Sequence, residues 1–104
     1  MRKISKNIAA YFLADKETNE SNTCVTIEHD NSVGNVTLIK LHGNKIARKL
    51  TGDKQMFEIS NSGWFTNVTK ERLNALPNVR IHQANGVWYI NGEVWRGDWT
   101  LIYV

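Results

Sequence analysis

The sequence predicts an α+β domain: an antiparallel sheet of about six short strands in hairpins, with an N-terminal helix and one central helix packed on it. Three observations carry this reading. Alternating apolar and polar runs flank two turn dipeptides, Gly43-Asn44 and Asn85-Gly86, and such an arrangement marks a hairpin. One helix-like stretch, residues 66–76, lies between the two hairpin groups. Ahead of both, residues 3–14 repeat apolar side chains at helical spacing.

The N-terminal helix would carry Ile4, Ile8, Tyr11 and Phe12 on its buried side. Arg2, Lys3 and Lys6 cluster in its first turns, where the helix dipole disfavours cations. They read either as a solvated end or as a basic contact for phosphate or an acidic partner. Residues 15–22 are polar and read as a loop, and Thr23–Glu28 alternates as a strand with Val25 and Ile27 on one face. With Gly43-Asn44 as the turn, Val36–His42 and Lys45–Leu50 pair so that Leu41 faces Ile46 and Thr37 faces Leu50. Lys40, Arg48 and Lys49 then project towards solvent or rims. Gln55–Ser60 offers Phe57 and Ile59 on one side.

Thr66 or Asn67 suits the N-cap of the central helix, since either side chain can accept a first-turn N–H. Pro77 ends it, because a proline disfavours helical geometry in the preceding residue. Val68, Leu73 and Leu76 form its apolar stripe, and Lys70, Glu71 and Asn74 face water. So short a helix is not stable alone, so it must lean on the sheet. Trp64-Phe65 are expected to anchor it as core residues; a ligand-stacking platform is the other reading of the pair. In the second hairpin, Asn85-Gly86 pairs Ala84 with Val87, His82 with Tyr89 and Ile81 with Ile90. Val79, Ile81, Trp88 and Ile90 must be core, while Arg80, His82, Val87 and Tyr89 share the other face. Asp98–Val104 is apolar on both sides and is expected inside the sheet.

Size and composition bound the rest. The 104 residues fit a single domain, 41% of them hydrophobic, with four Trp to build a core. No run approaches the ~18 apolar residues of a membrane span, and the N-terminus has no signal-peptide pattern. A lone Cys24 leaves no internal disulfide, so a cytoplasmic location is expected. The net charge is +3, unevenly spread: residues 1–31 hold four basic and five acidic residues, and residues 32–104 hold nine basic and five acidic. That surplus is compatible with phosphate contact but is milder than a dedicated basic stripe.

Catalytic signatures are absent from the sequence. His29, His42 and His82 are scattered without metal-ligand spacing. No glycine-rich phosphate loop occurs. Cys24 sits mid-strand as a small apolar filler, and the spacing of Glu58, Glu71, Glu93 and Asp98 recommends no acid–base pair. The expectation is a non-enzyme with no cofactor or metal.

Several segments together resemble a known group. They are Ile4-Ser5-Lys6-Asn7-Ile8-Ala9, Leu41-His42-Gly43-Asn44-Lys45-Ile46-Ala47, Ser62-Gly63-Trp64, and Thr69 through Leu76. The tail from Ile81-His82-Gln83 through Trp88-Tyr89-Ile90-Asn91-Gly92 to Trp95-Arg96-Gly97-Asp98-Trp99 belongs with them. In these the chain resembles small, mostly uncharacterised proteins encoded by tailed phages and prophages. The resemblance implies origin and no particular activity. Two binding functions are expected as alternatives. One is a nucleic-acid-binding accessory protein using Arg80, His82, Tyr89, Arg96 and Lys70, an aromatic beside cations on an exposed sheet. The other is a protein-binding module that modulates a host factor through Trp95, Trp99, Arg2, Lys3 and Lys6, since Trp and Arg dominate protein interfaces.

Overall fold

The computed structural model describes residues 2–104. Helix α1 (Lys3–Leu13) leads into six strands of one antiparallel sheet: β1 (Thr18–Glu20), β2 (Thr23–Asp30), β3 (Gly34–Leu41), β4 (Asn44–Leu50), β5 (Met56–Ile59) and, much later, β9 (Thr100–Tyr103). The excursion between β5 and β9 holds α2 (Asn67–Asn74) and a small antiparallel sheet of β6 (Ile81–Ala84), β7 (Val87–Ile90) and β8 (Glu93–Val94). The α+β class and both helices match the sequence reading. The second hairpin, however, forms a sheet of its own, and a short strand occupies part of the stretch expected to be loop, because Thr18–Glu20 pairs with the start of β2.

One face of the large sheet carries the core. Val25, Ile39, Ala47, Phe57, Ile59 and Ile102 alternate onto it and meet Ile8 and Phe12 of α1, Leu73 of α2 and Leu76 just after that helix. Phe12 and Phe57 pack edge to face with centroids 5.9 Å apart. Ile81, Trp88 and Ile90 of the small sheet join the same core, as their alternation required. Among the described residues, no helix covers the opposite face of the large sheet. There Leu38, Arg48, Glu58 and Leu101 line an open basin of about 650 Å³.

Several local expectations are corrected. The first hairpin turns at His42-Gly43, with φ of +51° and +80°, so Leu41 pairs with Asn44. A register shift at Ile39/Lys40 then sets Val36 opposite Leu50 and Thr37 opposite Lys49. A two-residue turn of this kind needs two positive φ angles, and His42 accepts the first. The strand expected inside the sheet, β9, lies at its edge, paired only with β5. Its second apolar side is exposed.

Lys49, expected near solvent, is buried, with its ammonium 2.6 Å from Asp15 Oδ1. Asp15 also accepts the Thr37 hydroxyl at 2.7 Å and the Gly52 N–H at 2.9 Å. This ties the end of α1 to β3, β4 and the following turn. Arg2, at the N-cap of α1, is bound to Glu71 of α2, so this cation answers a carboxylate on the neighbouring helix. Thr66 caps α2 by accepting the Thr69 N–H at 3.2 Å. Asn74 does not face water: it accepts the Ile81 N–H at 2.7 Å and donates to the Ile81 carbonyl at 2.9 Å. It bolts α2 to the small sheet.

These carboxylates make stability pH-dependent. Partial burial of Asp15 opposes its charge, but hydrogen bonds from Lys49, Thr37 and Gly52 outweigh that and hold its pKa at about 2, below the ordinary 3.8. The Arg2 side-chain hydrogen bond likewise holds Glu71 at about 2, below 4.5. Both groups bind protons less readily folded than unfolded, so their contribution is complete above the unfolded values and disappears as pH falls towards 2. Urea unfolding should therefore be nearly flat from neutral pH to about 5 and weaken steeply from there to about 2. The Asp15→Asn variant should lower the neutral plateau and flatten that acid limb by about 2 kcal/mol. An unchanged acid limb would remove Asp15 from the account.

Candidate nucleic-acid interface

The surface of interest begins in the link between β5 and α2. Here Ser60 and Asn61 are buried, and both bind the Gly97 carbonyl: the Ser60 hydroxyl donates at 2.7 Å and the Asn61 N–H at 3.1 Å. Asn61 in turn accepts the Gly63 N–H on its side chain at 2.8 Å and the Trp64 N–H on its carbonyl at 2.8 Å. The Ser62 hydroxyl donates to the Lys45 carbonyl. Ser62 and Gly63 both adopt positive φ, +53° and +82°. Such backbone is kept only where the surroundings hold it, and these bonds do so. The link is a fixed turn.

What it presents are Trp64 and Phe65, exposed at 56% and 54%. This overturns their expected core role. Nothing buries them because the residues on both sides, Ser60 to Gly63 and Thr66 to Asn67, are polar and leave no apolar surface to close over the pair. Phe65 packs edge to face with Trp88, centroids 5.0 Å apart. Trp88 itself is buried. Lys70 of α2 lies over the Trp88 ring at 5.4 Å and reaches Gln83 at 3.3 Å. An exposed aromatic pair and an ammonium thus flank one side of the β6–β7 hairpin.

The other side of the hairpin matches its sequence reading. His82 lies directly opposite Tyr89, and the two rings stack at 5.0 Å and 10°. The exposed Val94 pairs beside Tyr89 from β8, Val87 shares the face, and Arg80 precedes β6 on the same side. The five residues expected to act together therefore divide. Arg80, His82 and Tyr89 share one face, Lys70 belongs to the Trp88 side, and Arg96 is exposed in the segment after β8.

The residues of the protein-binding alternative disperse further. Trp95 is only 6% exposed, and its indole N–H is taken by the Asp98 carbonyl and the Thr100 hydroxyl at 3.1 and 2.9 Å. It is a core residue, which corrects the expectation that it is free for contact. Trp99 is half-buried beneath the Arg48 guanidinium, 3.9 Å from its centroid. Arg2 is engaged with Glu71, while Lys3 and Lys6 are exposed on α1.

A family model described as Kyanoviridae Gp96 protein matches residues 1–101. The chain belongs to that family. It is therefore a small phage-encoded protein, as its segments suggested. No curated protein and no solved structure matches this Gp96-family chain. Among its described residues, no helix is long and apolar enough to cross a membrane. No group of three or more His, Cys, Asp or Glu among them could hold a metal ion.

Proposed function

We propose that this Gp96-family protein is a non-catalytic accessory protein that binds single-stranded nucleic acid in the cytoplasm of the phage's host. The observation that carries the reading is the pair Trp64-Phe65, more than half exposed on a turn fixed by hydrogen bonds and set beside Lys70. Bases stack on aromatic faces whatever their sequence, and nearby cations neutralise the phosphates. A platform already held in place has less ordering entropy to lose on binding. The stacked His82–Tyr89 pair with Arg80 extends the track around the hairpin.

The test is fluorescence anisotropy with a labelled single-stranded oligonucleotide across a salt series. Binding should weaken as salt rises, because neutralised phosphates release counterions. Trp64→Ala and Phe65→Ala should each reduce affinity roughly 5- to 150-fold, matching a stacking contribution of about 1–3 kcal/mol per base. Lys70→Ala should reduce the salt slope by about one. Absence of binding at low salt would defeat the proposal and leave the aromatic pair as a contact for a host protein.

A further inference from the structure

The chain holds two Asn-Gly dipeptides, Asn85-Gly86 and Asn91-Gly92. An asparagine loses its side-chain amide most readily before glycine, which has no Cβ to obstruct attack by its nitrogen on the asparagine Cγ. Both dipeptides here form the same kind of two-residue turn. Their φ angles are +52° and +77° at the first and +48° and +88° at the second. The first turn joins β6 to β7 and the second joins β7 to β8, each pair antiparallel. With dipeptide and backbone matched, the difference lies in the asparagine side chains.

Asn91 is tied down. Its side-chain oxygen accepts the Arg80 N–H at 2.9 Å, and its amide nitrogen donates to the Asn78 carbonyl at 3.0 Å. Its own N–H donates to the Arg80 carbonyl at 2.8 Å. The side chain cannot swing onto the Gly92 nitrogen without giving up both of its bonds. Asn85 has no such anchor. Among the described residues nothing bonds to its side chain, and it lies within the exposed run from His82 to Val87 at the free end of the hairpin. The closing pair of that hairpin is Ala84 with Val87, so the Gly86 N–H takes no part in the ladder.

We propose that Asn85 is a spontaneous modification site, converted by its own neighbour and water into a mixture of aspartate and isoaspartate, while Asn91 is protected by its side-chain bonds. The Gly86 nitrogen gives up its proton and forms a bond to Asn85 Cγ. The side-chain nitrogen leaves with that proton as ammonia, which closes a five-membered imide. Water then opens the ring. Addition at Cγ breaks the new bond and gives aspartate. Addition at the main-chain carbonyl breaks the original peptide bond and gives isoaspartate, with the main chain rerouted through Cβ. Nothing is oxidised or reduced: one water enters and one ammonia departs. Either product places a carboxylate at the hairpin tip, and isoaspartate also lengthens a loop whose fit to the strand twist depends on its two-residue length.

The test keeps the full folded chain in mildly alkaline buffer, which favours loss of the Gly86 N–H proton, and samples it over time. Trypsin cuts after Arg80 and Arg96, so both asparagines fall in one peptide, Ile81–Arg96, and tandem mass spectrometry assigns each gain of a single mass unit. Asn85 should convert, its two products separating by chromatography. Asn91 should convert about 5- to 150-fold more slowly, the factor for releasing two side-chain hydrogen bonds of ordinary net strength. In urea-unfolded chain the two rates should become similar, since glycine follows both. Equal rates in the folded chain, faster loss at Asn91, or an Asn85 that converts only in urea would each overturn the proposal. So would a rate ratio that persists in urea, because the side-chain bonds would then not be its cause.

Discussion

Replacing Arg72 by alanine should cost about 3–5 kcal/mol of folding stability, a large share of the total for so small a domain. Arg72 is 2% exposed. Its guanidinium donates to the Ser5 hydroxyl of α1 at 2.7 Å, the Thr23 hydroxyl of β2 at 3.0 Å and the Asn22 side chain at 3.3 Å. Glu71 stands 3.6 Å away as its counter-charge. Burial pushes the Arg72 pKa below its ordinary value, partly offset by Glu71, yet a guanidinium stays protonated. Alanine removes the common donor of three elements. It leaves the fully buried Ser5 hydroxyl without this donor, at about 1–3 kcal/mol, takes one of two bonds from the Thr23 hydroxyl, which still donates to Asn22, and opens a cavity as well. Two further variants separate these effects. Arg72→Met restores the volume and should recover the cavity part only. Arg72→Lys keeps the charge but has no planar fork to reach three acceptors, so it should still lose about 2 kcal/mol. Urea unfolding measures all three. A loss under about 1 kcal/mol for alanine would show the network to be ornamental.

Gly97→Ala should lower stability by about 3 kcal/mol and the melting temperature by about 12–24 °C. Gly97 has φ of +89°, a conformation that disfavours any side chain, and an added Cβ would land inside the Asn61 amide. The Asn61 side chain cannot swing aside without giving up its bond from the Gly63 N–H. Gly52→Ala is the control: its φ is +92°, but nothing lies within 4 Å of the new atom. It should lose only the backbone part, about 1–2 kcal/mol. Equal losses at the two positions would mean that the close approach to Asn61 carries no energy. Because Asn61 sets the turn that presents Trp64 and Phe65, the Gly97 variant should also weaken oligonucleotide binding.

The contrast between these positions shows what the sequence could and could not convey. The β6–β7 hairpin was readable residue by residue. Asn85-Gly86 dictates the turn, the turn dictates the register, and the register places Ile81 and Trp88 inward and His82 and Tyr89 outward. The β3–β4 hairpin was displaced by one residue because His42-Gly43 and Gly43-Asn44 both offer a pair that accepts positive φ. The compensating irregularity at Ile39/Lys40 leaves no mark on the alternation. Burial of Arg72 and Lys49 was hidden for another reason. Long cations are surface residues by default, and their partners Ser5, Thr23 and Asp15 are remote in the chain. The exposure of Trp64 and Phe65 went the opposite way: size favoured the core reading over the stacking alternative, whereas the polar residues around them were the better guide. Apolar residues on both sides of β9 suggested an inner strand, whereas Leu101 and Tyr103 stay exposed at the sheet edge.

That β5 has its neighbour roughly 40 residues further on also governs how the molecule is made. On the ribosome, β1 to β4 can close as a meander while β5 still waits with one side open. At about 5–20 residues per second, several seconds pass before β9 emerges to seal it. Through that interval Phe57 and Ile59 lack part of their cover, so the nascent chain is at its stickiest just before β9 emerges.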